Sequence, residues 1–150
     1  MQISTLSQTD KMTIAHWNYE GMYAKFNYAL DKNGWIDQYC CEGSFCYKVS
    51  FNGKIIGLFL FIPKNKNEFR VLINPQFIHQ GYGTKVVKKA IDYAFQELKF
   101  KMLTLIVRKE HQIGLKLYQK FGFEILGERV EMIENEKIVF FEMIKQIKEN

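Results

Sequence analysis

A chain of 150 residues with 47% apolar side chains is long enough for one domain with a genuine core, and 25% charge is ordinary. This composition excludes a disordered chain, and no apolar run approaches the ~18 residues that span a bilayer. A net charge of +5 suits an anionic small ligand or a nucleic acid equally, because the basic residues are scattered along the chain.

Residues 1–10 are polar and lack the apolar core of a secretory signal. Cys40, Cys41 and Cys46 make an odd count, and no Cys or Cys/His pair stands at metal spacing. We therefore expect no disulfide framework, no metal site and a reducing, cytoplasmic setting.

Residues 2–6 read as a first strand, and Thr9 or Asp10 is the expected cap of a helix reaching about Trp17. The aromatics of residues 17–28 keep no single helical face, so some are exposed or line a cavity. Two alternatives stay open: an aromatic core cluster, or a pocket wall with Glu20 set into it. A second short helix is expected over 35–42. Asn52-Gly53 between two β-rich runs predicts a hairpin of Phe45–Phe51 with Lys54–Ile62. Ile55, Ile56, Leu58, Phe59, Leu60 and Phe61 are apolar on both faces, which places that second strand centrally.

Residues 69–98 organise the rest. Val71, Leu72 and Ile73 form an apolar run that ends at Asn74-Pro75, where proline has no N–H for a sheet ladder and the strand stops or splays. Gln80-Gly81-Tyr82-Gly83-Thr84 then opens a helix with Val87, Ala90, Ile91, Ala94, Phe95 and Leu98 at helical spacing. The first turn of a helix leaves N–H groups unpaired and carries partial positive charge, and two glycines let an anion approach the main chain. Lys85, Lys88 and Lys89 add charge; the alternative is a plain structural turn. Val86 stands where a dinucleotide fingerprint needs its third glycine, and Thr84-Lys85 reverses the order of a P-loop.

Residues 102–107 form another strand apolar on both faces, so a right-handed crossover should join it to the strand before the glycine loop. Residues 111–122 read as a short helix with Gly114, Leu117, Tyr118 and Phe121 on one face and Gly122 as its stop. Residues 123–131 and 137–144 read as a hairpin across 134–136.

Ile73-Asn74-Pro75 with Gly81-Tyr82-Gly83 resembles motif A of the GNAT superfamily, the acyl-CoA-dependent N-acyltransferases: a β-branched residue, any residue, Pro, then Arg/Gln-x-x-Gly-x-Gly/Ala opening a helix. Ile78 stands at the Arg/Gln position. Tyr118 and Gly122-Phe123 are similar to the superfamily's Ala-x-x-x-Tyr-x-x-x-Gly-Phe signature, with Gly114 in place of Ala and His111 in place of the Asn seven residues before the tyrosine. Trp17, Tyr19, Glu20 and Tyr23 also match the Trp-x-Tyr-Glu-x-x-Tyr of a bacterial subgroup.

The resemblance implies an α/β fold with a mixed, mostly antiparallel sheet of six to seven strands, a central splay and about four flanking helices. It implies acetyl transfer from acetyl-CoA to an amine by direct attack. Leu72, Ile73, Ile78, His79, Gln80, Gly81, Tyr82, Gly83, Thr84 and His111 would hold the cofactor, and Trp17, Tyr19 and Tyr23 the acceptor. A main-chain N–H near Ile73 or Asn74 would polarise the thioester oxygen. An amine with a pKa around 10.4 is neutral in only about one molecule in a thousand near pH 7, so a carboxylate must take its proton, Glu20 or Glu68. Tyr118 would serve the leaving thiolate, chiefly as a hydrogen-bond donor, because full transfer from a phenol near 10 to a thiolate near 8.5 is uphill by about 2 kcal/mol. The partners implied are a small-molecule or protein amine and at most a second copy of the chain, with neither nucleic acid nor membrane. The departures at Ile78 and His111 keep a non-catalytic acyl-CoA-binding or regulatory module as the alternative. A nucleic-acid-binding domain rests on charge alone.

Overall fold

The computed structural model describes residues 1–32, 34–41 and 43–147. Seven strands, β1 (Gln2–Thr5), β2 (Phe45–Phe51), β3 (Lys54–Ile62), β4 (Glu68–Ile73), β5 (Met102–Arg108), β6 (Glu124–Ile133) and β7 (Glu136–Gln146), form one mixed sheet in the order β1-β2-β3-β4-β5-β7-β6. Four α-helices flank it: α1 (Gln8–Ala15), α2 (Trp35–Tyr39), α3 (Tyr82–Asp92) and α4 (Gln112–Lys120). The pairs β1–β2, β2–β3, β5–β7 and β6–β7 are antiparallel. Between the parallel strands β4 and β5 the register is a single pair, Glu68 opposite Thr104. The chain packs as two compact units, residues 1–61 with 70–87 and residues 62–69 with 88 onward.

In the first unit, the cap of α1 is Ser7 rather than Thr9 or Asp10. Ser7 Oγ accepts from the Asp10 N–H at 3.1 Å and the Asp10 carboxylate accepts from the Ser7 N–H at 2.9 Å, a reciprocal capping box. The β2–β3 hairpin turns through Asn52 and Gly53, both with positive φ (51° and 78°), as the tight hairpin turn demands. Residues 56–62 of β3 are all buried, which places this strand inside the sheet. At Gly57 an added Cβ would stand 2.8 Å from the Leu72 carbonyl, so glycine here lets β4 approach closely.

The aromatic run adopts a 3-10 helix, Gly21–Leu30, with three residues per turn. That period stacks Tyr23 against Phe26 at 6.0 Å, and Tyr19, ahead of the helix, meets Phe26 edge-on at 6.0 Å. The second helix is shorter than 35–42, ending at Tyr39, and Glu42 lies outside the described residues. Arg70 of β4 lies over the rings of Trp35 and Tyr39, 5.8 and 5.7 Å from their centroids, and fastens α2 by cation–π contact.

The cysteine expectation is overturned. Cys40 and Cys46 form a disulfide with Cα atoms 5.5 Å apart, while Cys41 is free and exposed. Between them the chain reverses: Ser44 N–H and Ser44 Oγ both donate to the Cys41 carbonyl, at 3.0 and 2.6 Å. This turn returns β2 beside the end of α2, a proximity that spacing rules for metals and disulfide frameworks do not register.

In the second unit, β5 buries Leu103, Leu105 and Val107 and leaves the alternate residues half-buried, so its two apolar faces are unequally covered. The helix expected to continue to Leu98 widens after Asp92 into a π turn, Tyr93–Glu97, closed by the Leu98 N–H donating to the Tyr93 carbonyl at 3.0 Å. The β6–β7 hairpin turns through Glu134 and Asn135, both at positive φ. Among the described residues no helix is long and apolar enough to cross a membrane.

Candidate functional site

The first unit holds the glycine loop, the end of β4 and the aromatic segment. The loop begins after a 3-10 turn at Pro75–Phe77 that Asn74 caps, its side-chain oxygen accepting from Gln76 N–H at 3.0 Å. Ile78 is extended and half-buried. His79 is exposed with φ of 63°, and its ring meets Tyr23 edge-on at 5.0 Å. Gln80 reaches back to the Gln76 carbonyl at 3.0 Å. Gly81 has φ of 80°, a conformation that costs a side-chain-bearing residue strain.

Tyr82 opens α3 with its ring perpendicular to Phe77 at 5.5 Å and with Lys85 Nζ 5.7 Å above it. Gly83 sits in the first turn, where N–H groups lack intrahelical partners, and Thr84 follows, exposed. A Cβ on Gly83 would meet only Ile73 Cγ1, at an ordinary 3.9 Å. The chain's own packing therefore does not require glycine at this position. What the missing Cβ leaves is open main chain at the positive end of a helix, a fit for phosphate oxygens.

At the end of β4, Leu72 is buried and Ile73 half-buried. The Asn74 N–H donates to the Ile56 carbonyl at 2.8 Å, and the Asn74 side-chain N–H to the Ile55 carbonyl at 2.8 Å. Asn74 thus ties β4 to β3, and its N–H is not free to polarise a thioester; of the two expected groups, only Ile73's remains a candidate. The Tyr19 hydroxyl donates to the Ile73 carbonyl. Tyr19 is buried, and burial pushes its hydroxyl far above the ordinary tyrosine range, so it is a permanent donor. Asn27 brackets its peptide, accepting from Tyr19 N–H at 2.8 Å and donating to the Tyr19 carbonyl at 3.0 Å. Glu20 is exposed and its side chain does not cap the 3-10 helix that follows. Trp17, half-buried, lines a cleft of about 930 Å³ beside Asn74 and Phe77, with the Asp10–Lys48 ion pair (2.7 Å) in its wall.

The second unit holds Glu68, His111 and Tyr118. Glu68 is 1% exposed and accepts from Arg129 Nη1 at 3.3 Å; Arg129 also meets Glu142 at 2.8 Å and Glu131 at 3.5 Å. His111 precedes α4, and its ring lies over Gly114: a Cβ there would stand 2.4 Å from His111 Cδ2. The two departures from the Asn and Ala pattern are thus one packing unit, a larger ring fitted over a smaller residue. Tyr118 packs edge-on against Phe123 at 5.9 Å, and the Phe123 N–H donates to the Tyr118 carbonyl at 3.0 Å. Among the described residues its hydroxyl has no hydrogen-bond partner, and burial pushes its pKa up to about 12.

The family model for the acetyltransferase (GNAT) family matches residues 8–123. The chain belongs to that family. Spermidine N(1)-acetyltransferase of Escherichia coli is 34% identical over 86 residues, 55% of this chain, and the chain spans about half (46%) of that relative's length. Among solved structures, a chimera of the Vibrio cholerae spermidine N-acetyltransferase SpeG with hSSAT superposes with a TM-score of 0.75 at 19% identity, covering 97% of this chain and 96% of that one. The Vibrio cholerae spermidine N-acetyltransferase in complex with CoA and spermine gives 0.74 at 20% identity, covering 97% and 94%. The GNAT fold of these neighbours is the fold found here.

The GNAT signatures do not point to the side chains of Asn74, Asn27 or Arg129. Asn74 lies at the free position of the Ile73-x-Pro75 element, and Asn27 and Arg129 lie outside every motif. A buried Asn before Pro is a recognisable signal, since an amide side chain there supplies hydrogen bonds that the interrupted strand loses.

Proposed function

We propose that this chain is an acetyl-CoA-dependent N-acetyltransferase whose acceptor is a polyamine. The observation that carries the cofactor half is Gly83: a glycine that the fold does not need, in the first turn of α3, beside a loop already bent by Gly81. Residues 78–84 would hold the pyrophosphate through main-chain N–H groups, with Ile73 flanking the arm. Bound acetyl-CoA supplies the activated acetyl group. The Ile73 main-chain N–H would orient and polarise its carbonyl oxygen.

Tyr118 acts as a hydrogen-bond donor to the leaving sulfur rather than as an acid. With its pKa at about 12, proton transfer to a thiolate near 8.5 is uphill by about 5 kcal/mol, which a fixed O–H···S contact avoids. His111 keeps a donor where the family pattern has an amide. The acceptor ammonium loses its proton to Glu20, directly or through water, since Glu20 is exposed while Glu68 is enclosed with Arg129. Tyr23 and Trp17 would line the acceptor's path, and Tyr19 shapes it through the Ile73 carbonyl. The polyamine assignment is supported by the spermidine N-acetyltransferases to which the chain is similar.

The test has two stages. Thermal unfolding is followed with acetyl-CoA, with ATP and NAD as controls; a ligand at ~100 times its Kd stabilises by about 2.7 kcal/mol. Thiol release is then measured with spermidine, spermine and unrelated amines. Stabilisation by acetyl-CoA alone and release with polyamines is the expected result. Stabilisation without turnover on any amine would make the chain a non-catalytic acyl-CoA-binding module, and no stabilisation at all would remove the cofactor assignment.

A further inference from the structure

Strand β6 is the free edge of the sheet beyond β7. Such edges invite pairing, and proteins usually blunt them with lysine, proline or a short strand. β6 has ten residues, Glu-Ile-Leu-Gly-Glu-Arg-Val-Glu-Met-Ile, with neither lysine nor proline. Past a bulge at Ile125–Gly127, one face of the strand exposes Val130 at 57% and Met132 at 61%.

The backbone of this edge has a defined phase. The Lys109 N–H donates to the Val139 carbonyl at 2.9 Å, so the polar groups of Val139 face the β5 side. Val130 is the register partner of Val139 on β6. It therefore sits at a non-hydrogen-bonded position of the β6–β7 pair, and its own N–H and C=O point to the free side. The same holds for Glu128 and Met132, two residues either way.

We propose that β6 pairs antiparallel with β6 of a second copy of this chain, about a two-fold axis through Val130. In this register Val130 and the partner's Val130 exchange both backbone hydrogen bonds, and Glu128 and Met132 do so with the partner's Met132 and Glu128. On the opposite face Arg129 stands across from the partner's Glu131, and Glu131 across from the partner's Arg129. The strand is its own complement in charge. Side chains that meet across the pair must share a face, which excludes shifts that mix the two faces. Of the neighbouring registers that remain, one sets Arg129 against the partner's Arg129 and the other Glu131 against the partner's Glu131, and like charges directly opposite are unfavourable. The occupant is therefore a second copy rather than an unrelated strand.

Sedimentation equilibrium of the full chain should give a concentration-dependent dimer. Val130→Lys puts like charges on the axis at an exposed side chain and should raise the dimer dissociation constant at least tenfold, with thermal unfolding of the monomer retained. Register is read by oxidation in a Cys41→Ser background. Val130→Cys should give a covalent dimer, because its thiol faces its own copy, and Met132→Cys should not, because it faces the partner's Glu128. A monomer at every concentration would overturn the proposal. So would an assembly unmoved by Val130→Lys, equal cross-linking at both positions, or pairing of β6 only with a different protein.

Discussion

Tyr19 is buried and Tyr118 half-buried, and desolvation raises the hydroxyl pKa of both. They differ in what the hydroxyl does. Tyr19 donates a hydrogen bond to the Ile73 carbonyl, inside a segment that Asn27 brackets from the other side. Tyr118 is fixed by its ring against Phe123 and by its own carbonyl, and among the described residues its hydroxyl is left over. A hydroxyl is either satisfied by the fold or left open to something that arrives, and the distinction lies in the accounting of donors and acceptors. The same division separates Gly81, whose backbone needs glycine, from Gly83, whose packing does not.

The sharpest way to break this comparison is Tyr118→Phe. Removing one donor to developing charge costs about a hundredfold in rate, so kcat with acetyl-CoA and spermidine should fall by that order while Tm stays put. A large Tm loss with unchanged kcat would reverse the roles assigned to the two tyrosines. Next is Gly83→Ala. Alanine is a better helix former by about 1 kcal/mol, so stability should hold or rise while acetyl-CoA affinity drops by roughly tenfold, read by calorimetry; equal affinity would make the missing Cβ incidental.

Tyr19→Phe should do the opposite of Tyr118→Phe. Losing the bond to the Ile73 carbonyl costs about 1–2 kcal/mol, roughly 3–6 °C for a chain this size, with turnover falling only a few-fold. The smallest effect is in pH. Tyr118 binds its proton more tightly folded than unfolded, so its contribution is intact below pH 10 and is lost as pH rises from 10 to about 12. Denaturant titrations across that window should show a shallower loss for Tyr118→Phe than for the unaltered chain.

Much of the fold was legible where local chemistry speaks for itself. Asn52-Gly53 announced its hairpin, and the spacing of Val87, Ala90 and Ile91 announced α3, because each rests on neighbours in the chain. Residues whose partners are distant were not legible. Nothing local says that the Tyr19 hydroxyl meets Ile73, 54 positions on, or that Glu68 meets Arg129, 61 positions on. The disulfide was missed for a related reason: six positions separate Cys40 from Cys46, but a turn held by Ser44 brings them together. Ser7, Thr9 and Asp10 are all capping residue types, and only the reciprocal bond between Ser7 and Asp10 singles one out. In the candidate site, the loop at 78–84 stood out by its glycines. Asn74 stood out only for its main chain, because its side chain works through β3.

The contact between His111 and Gly114 bears on how such a sequence is reached by single substitutions. Starting from the Asn and Ala of the family pattern, installing the imidazole first would drive a ring into a methyl group, since a Cβ at position 114 lies 2.4 Å from where the ring now sits. Removing the methyl first leaves only a small gap above the helix, which the ring then fills. Holding the imidazole in its present position therefore requires glycine at 114. A search that scores the two positions independently counts two defects where the molecule has one exchange, and it undervalues other chains that made the same trade.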